Sequence, residues 1–147
     1  IMAKEQTFKL TIVTPGGIIY EDNVEKVTLP TKSGEVTILP EHEAMVSVLR
    51  SGEINIYKDG YETNLALSGG VLEMRPNNEL YLIADSAERA EEIDVERAEA
   101  SRARAEELLK QIKNVEDVEY ARIQAMIEKE MNRAVVGKKY RKIKINK

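Results

Sequence analysis

From Phe8 to Ala84, apolar residues alternate with polar ones or gather in short β-branched runs, and each run stops at Gly, Pro or Asn. Phe8–Thr14 alternates, and Pro15-Gly16-Gly17 then turns the chain. Ile18–Tyr20 and Val24–Leu29 predict two further strands, the second ended by Pro30, and Ser33-Gly34 predicts a turn before Glu35–Leu39 and Pro40. Met45–Leu49, Glu53–Tyr57, Tyr61–Leu67, Val71–Arg75 and Leu80–Ala84 continue the pattern. Ser51-Gly52, Lys58-Asp59-Gly60, Ser68-Gly69-Gly70 and Pro76-Asn77-Asn78 separate them. Short strands at roughly ten-residue spacing, with turn chemistry in every gap, predict an antiparallel β-sandwich or flattened barrel.

Between Ala84 and Ala98 the pattern changes, and beyond it Ala, Glu, Arg and Leu dominate. Asp94 is placed to cap a helix whose narrow apolar stripe is Val95, Ala98, Ala105, Leu108, Leu109 and Ile112. Asn114-Val115-Glu116-Asp117 predicts a short connection and a new cap, and the second helix carries Val118, Ile123, Ile127, Met131, Ala134 and Val135 until Gly137 stops it. Two helices joined by a tight connection lie antiparallel. The fold class is therefore α+β in two domains: a β-sandwich over residues 2–88, a helical hairpin over 89–137 and a basic tail over 138–147, with Ile1 left out. A stripe this thin gives a marginal hairpin that depends on docking and can exchange between arrangements.

Composition narrows the chemistry. The 147 residues include no Cys and one His, which excludes thiolate metal sites and disulfides and makes an imidazole metal centre unexpected. Neither a nucleophile–histidine–acid set nor a carboxylate pair in an evident cleft is readable, so no catalytic residue is expected. No apolar run approaches the roughly 20 residues that span a bilayer, and no signal peptide is visible, so direct membrane insertion is not expected. The net charge of −4 hides a gradient: six basic residues and no acid lie in Val135–Lys147. With Tyr140 the only aromatic there and an acidic body, nucleic acid is not the expected partner.

With both halves assembled, the chain resembles the epsilon subunit of the bacterial and chloroplast F-type ATP synthase. The resemblance runs from Phe8 to about Arg133. It rests on Ser33-Gly34-Glu35-Val36-Thr37-Ile38-Leu39-Pro40-Glu41-His42, on Ser68-Gly69-Gly70-Val71-Leu72-Glu73 with Arg75-Pro76, and on Ala87-Glu88-Arg89-Ala90 leading to Ile93-Asp94-Val95-Glu96-Arg97-Ala98. The family has Leu-Gly where Val36-Thr37 stand, Gly at Glu41 and Pro at Ala44, so this loop is more polar and acidic than the pattern.

The resemblance implies a non-enzymatic subunit on the cytoplasmic face of the bacterial cell membrane, peripheral, within the ATP synthase complex. The sandwich would hold the gamma subunit and the c-ring loops. The hairpin would be a movable arm that restrains ATP hydrolysis when extended into the catalytic alpha/beta hexamer. It further implies regulatory ATP at an Ile/Leu-Asp-x-x-Arg-Ala motif, complete here as Ile93 to Ala98. Glu88, Asp94, Arg97, Arg104 and Arg133 match the nucleotide-contacting positions, and Lys129 stands where a strong binder has Arg.

Arg pairs with phosphate oxygens and a carboxylate can accept from the adenine amino group or ribose hydroxyls, so the set is chemically coherent. The competing reading makes Asp94 a helix cap and the other charges a solvated face. Glu35 and His42 are implied for the c-ring face, against the plainer reading of polar loop residues. Lys138, Lys139, Arg141, Lys142 and Lys144 are expected to meet acidic side chains on the beta subunits, against a merely solvating tail. The alternatives are a stand-alone nucleotide-sensing module and an unrelated β-sandwich scaffold with a helical tail.

Overall fold

The structure is a computed structural model that describes residues 6–113, 116 and 118–145, with side chains through residue 141. The connection read at Asn114, Val115 and Asp117 lies outside the described residues. The chain divides into two compact units, residues 1–87 and 88–147.

The first unit is a β-sandwich built from nine strands: β1 Phe8–Thr14, β2 Gly17–Val24, β3 Lys26–Thr31, β4 Gly34–Ile38, β5 Met45–Leu49, β6 Gly52–Lys58, β7 Tyr61–Leu67, β8 Gly70–Arg75 and β9 Glu79–Ala84. A three-residue strand, β10 Ala87–Arg89, spans the boundary between the units. Strand order runs β7-β6-β3-β5-β8-β9-β1-β2, with β4 paired to β3. Pairing is antiparallel except between β1 and β9, which run parallel. One edge of β3 is shared, its start pairing with β6 at Lys26–Thr28 and its end with β5 at Thr31. That sharing is where the sheet folds over itself. β2, at one end of this order, meets β6 near the other, where Lys58 Nζ donates to Asp22 Oδ2 at 2.5 Å, so the sandwich approaches a closed barrel.

Alternation places Phe8, Leu10, Ile12, Leu29, Ile54, Leu72 and Leu82 in one continuous core. Two readings needed correction. Val24 closes β2 instead of opening β3, and Pro30 does not end β3. Pro30 lies within it, opposite Glu35 of β4, while its carbonyl accepts from Arg50 N at 3.1 Å. A proline lacks only its donor, and at this position the acceptor is what the neighbouring chain uses.

The second unit holds a 3₁₀ turn at Ala90–Glu92, helix α1 over Val95–Lys110 and helix α2 over Val118–Ile145. Asp94 caps α1, its carboxylate accepting from Arg97 N at 3.0 Å. Ala105 packs with Ile123 and Ile127, joined by the half-buried Leu109 and Ile112. The first turns of α1 meet the last turns of α2, through Glu99 with Lys138 and Glu96 with Arg141, so the helices are antiparallel. On α1 the seam is Val95, Ala98, Ala105 and Leu109, with Ile112 just past the helix; on α2 it is Ile123, Ile127, Glu130, Ala134 and Gly137. The α2 steps are four, three, four and three, and the α1 steps of three, seven and four keep the same phase, the spacing of a coiled-coil seam.

Gly137 does not stop the second helix, and residues 138–145 continue α2 instead of forming a tail. A Cβ at Gly137 would lie 2.7 Å from Val95 Cγ2 and 3.0 Å from Ile93 Cγ2, so the glycine is there for close approach. Leu108, Val118, Met131 and Val135, expected in the stripe, are exposed, while Val136 is buried.

Candidate functional site

The nucleotide positions read from the sequence all fall in the second unit. Two of them are in contact. Arg133 lays its guanidinium along the Glu88 carboxylate, Nε to Oε2 at 2.7 Å and Nη2 to Oε1 at 3.2 Å. Its remaining nitrogen, Nη1, donates to Glu130 Oε2 at 2.8 Å. The hydrogen-bonded Glu88 carboxylate, aided by Glu130, raises the Arg133 pKa further, against the opposing effect of burial. Glu130 is 8% exposed and was missed by the sequence reading, although its i,i+3 spacing from Arg133 was a usable signal.

The other cations stand differently. Arg97 is exposed and contributes only its backbone N–H, to the Asp94 cap. Arg104, seven residues on and so on the same face of α1, donates from Nη2 to Ser101 Oγ at 3.1 Å. Lys129 is half-buried and lies one turn before Arg133 on α2. Among the described residues, neither Arg97, Arg104 nor Lys129 is paired with a carboxylate. Ala98 is buried in the seam and Ile93 is half-buried, so these two motif positions shape the start of α1. The arrangement offers three cations without anionic partners and a fourth already held by two carboxylates.

Both Glu35 and His42 lie in the first unit, Glu35 near the start of β4 and His42 in the loop between β4 and β5. Glu35 is exposed, and the His42 ring donates from Nδ1 to the Glu43 carbonyl at 2.8 Å. The loop after β4 is pinned by Asn78, whose Oδ1 accepts from Glu41 N at 2.8 Å while its Nδ2 donates to the Thr7 carbonyl at 2.9 Å.

Of the basic residues near the end, Lys138 and Arg141 are engaged within the unit, by Glu99 and Glu96. Lys139 stands 5.3 Å from the Tyr140 ring. The side chains of Lys142 and Lys144 lie outside the described residues. Among the described residues, no group of three His, Cys, Asp or Glu is placed to hold a metal ion, and no helix is long and apolar enough to cross a membrane.

One surface was not anticipated. Val48 pairs with Val71, Val71 with Ile83, Ile83 with Val13 and Val13 with Ile18, so five β-branched side chains share one face across β5, β8, β9, β1 and β2. At the usual strand spacing the row is about 19 Å long. Ile18 is 62% exposed, Ile83 58% and Val48 46%. The exposed Val46 extends the row on β5, while Glu73, Tyr81 and Thr11 adjoin it on β8, β9 and β1, with the Arg75 guanidinium 3.9 Å from the Tyr81 ring.

A β-sandwich with a shared strand and one parallel pair, followed by an antiparallel pair of long helices, defines a two-domain class of protein. The chain belongs to the ATP synthase delta/epsilon family: residues 7–90 match its beta-sandwich domain and residues 91–134 its long alpha-helix domain. Among similar proteins is the ATP synthase epsilon chain of Bacillus licheniformis, 38% identical over 133 residues, covering 90% of this chain and 99% of that one. The Bacillus subtilis ATP synthase epsilon chain is 44% identical over 104 residues, 71% of this chain and 78% of that one. A chain of the Euglena gracilis mitochondrial ATP synthase shares the fold with a TM-score of 0.69 at 24% identity, covering 88% of this chain and 79% of that one.

Proposed function

We propose that this chain is the central-stalk epsilon subunit of an F-type ATP synthase, a non-catalytic part whose sandwich grips the gamma subunit and meets the c-ring loops. It would sit on the cytoplasmic face of a bacterial membrane as part of the peripheral portion of the complex. The helical unit is its regulatory arm, restraining ATP hydrolysis through the alpha/beta hexamer and responding to ATP. The observation that carries this reading is the contrast between the two units. The sandwich closes a large aliphatic core of its own, whereas the hairpin closes a seam of alanines and a few isoleucines. A grip must be permanent and an arm must be able to move, and local stability is distributed accordingly.

The row from Val48 to Ile18 is the surface assigned to gamma. Arg97, Arg104 and Lys129 are the cations assigned to the phosphates of ATP, with Asp94 and Glu88 turned to the base or ribose and Arg133 recruited when phosphate displaces a carboxylate. Glu35 and His42 remain assigned to the c-ring side. Removing residues 91–147 tests the arm. The shortened chain should still co-purify with gamma and assemble, and ATP hydrolysis by the complex should rise. Unchanged hydrolysis would refute the arm, and failure to co-purify with any rotor subunit would refute the grip. A stand-alone nucleotide sensor is the second reading, favoured by the three cations without carboxylate partners. It requires ATP binding by a chain that joins no complex.

A further inference from the structure

The matched helical domain ends at residue 134, yet α2 continues to Ile145 and its continuation packs back on α1. Three contacts make that return. Gly137 is buried against Val95 and Ile93 at a distance no side chain could share. Lys138 pairs with Glu99, and Arg141 Nη1 donates to Glu96 Oε1 at 2.6 Å. The two pairs share one register: three residues back along α1, from Glu99 to Glu96, correspond to three forward along α2, from Lys138 to Arg141. A slide of either helix by one turn would break both pairs together and would drive a side chain into the place of the glycine.

We infer that residues 135–141 of α2 are a clasp that holds the two helices in the hairpin arrangement without any ligand. The inference concerns the second unit alone and does not depend on its role in a synthase. The clasp joins the free ends of the hairpin, farthest from the connection. Ends that far apart along the chain would otherwise open first, because the seam between them, Val95 and Ala98 against Ala134 and Gly137, carries little apolar bulk. The two ion pairs are exposed, so their main contribution is to register and orientation, while the Gly137 seat supplies the close fit. The helix dipoles add to this, since the acidic residues occupy the N-terminal turns of α1 and the basic residues the later part of α2.

The chain has no cysteine, so spin labels placed at Ala103→Cys and Glu128→Cys, both exposed, report the interhelix distance in the full-length protein. The parent should give one narrow, short distance. Glu96→Lys with Glu99→Lys should raise the population at longer distances at least fivefold, and Gly137→Leu should do so as well. Adding Lys138→Glu and Arg141→Glu to the double lysine variant exchanges the charges across the register and should return the distribution to within twofold of the parent. Amide exchange at Val95–Ala98 should follow the same order, which covers the case in which a variant loses helix altogether. A double lysine variant that keeps the parental distribution, or a charge exchange that fails to restore it, overturns the clasp.

Discussion

Arg133 and Glu88 face each other in a two-point contact, with Nε at 2.7 Å and Nη2 at 3.2 Å from the two carboxylate oxygens, and Glu130 takes the remaining nitrogen. Each of the three guanidinium nitrogens therefore has a carboxylate partner before any phosphate arrives, from two acids that together over-neutralise it, with one N–H left on each Nη. A phosphate reaching Arg133 would meet the like charge of both acids, and Glu130, held on the same helix three residues away by a single bond, is the weaker geometric match. Glu130→Gln should tighten ATP binding several-fold, read by isothermal titration of the full chain. Arg133→Ala leaves a mostly buried Glu130 without its cation and should cost about 1–3 kcal/mol in the helical unit, read as lost amide protection. Weaker ATP binding by the glutamine variant would show that Glu130 belongs to the site and does not compete with it.

Lys129 lies one turn before Arg133 and brings charge without a fork. Lys129→Arg adds the bidentate geometry that a phosphate can accept from two directions. An affinity gain of about five- to tenfold is expected, close to 1–1.4 kcal/mol. Titration of Arg97→Gln on the same background should remove most of that gain if both cations meet one ligand.

Glu41 adopts φ of 63°, in the left-handed region, where the family pattern has glycine. A side chain there costs about 1–2 kcal/mol of steric strain, and the Asn78 bond to Glu41 N holds it in place. Glu41→Gly removes the strain and adds about 0.4–1 kcal/mol of unfolded-chain entropy. The net should be a stabilisation of about 0.5–1 kcal/mol in the sandwich, measured as a higher melting temperature with His42 still donating to the Glu43 carbonyl.

The strands were legible because one face of each is buried, so alternation writes itself into the sequence; Phe8, Leu10 and Ile12 against Lys9 and Thr11 is the plainest case. Pro30 misled because its missing donor reads as a stop, while only the neighbouring chain reveals that its acceptor is used. β10 was invisible since Ala87-Glu88-Arg89 has neither a β-branched residue nor an apolar alternation. In α2 the helix itself was readable but its phase was not. Val135 and Val136 are equally apolar, and only packing decides that 136 is inside. Gly137 has two uses, helix end and close approach, and the second needs the partner helix to be seen. At the candidate site the motif Ile93 to Ala98 was legible, whereas for Glu130 the i,i+3 spacing signals a pair with Arg133 but not the burial that makes it a firm one.

The exposed row makes a separable test of the grip. Ile83 sits at its centre, paired to Val71 on one side and Val13 on the other, and points away from the core. Ile83→Glu should change the stability of the isolated chain by less than about 1 kcal/mol, read as a nearly unchanged melting temperature. Binding to gamma should fall at least tenfold, because a charge would be desolvated at the middle of the contact. Loss of binding together with loss of folding would instead place Ile83 among the structural residues.

Acid should act on the two units at distinguishable points. The hydrogen bond from Arg141 lowers the pKa of Glu96 from its ordinary 4.5, with its own backbone N–H and the nearby Lys138 assisting. The hydrogen bond from Lys58 likewise lowers Asp22 from 3.8, helped by Asn23 N. A carboxylate held lower in the folded state contributes stability above its unfolded value and loses it as pH falls through its folded one. Glu96 therefore supports the start of α1 at neutral pH and loses that support progressively as pH falls from 4.5 through its lower folded value, while Asp22 does the same for the β2–β6 contact from 3.8 downward. Both groups are exposed, so each contribution is small and weakens with salt. Amide exchange at Val95–Ala98, followed from pH 6 to pH 3, should accelerate beyond the intrinsic pH dependence in the parent. Glu96→Gln should follow only the intrinsic dependence, and a parent profile identical to that of the variant would remove the Arg141 pair from the account of the hairpin.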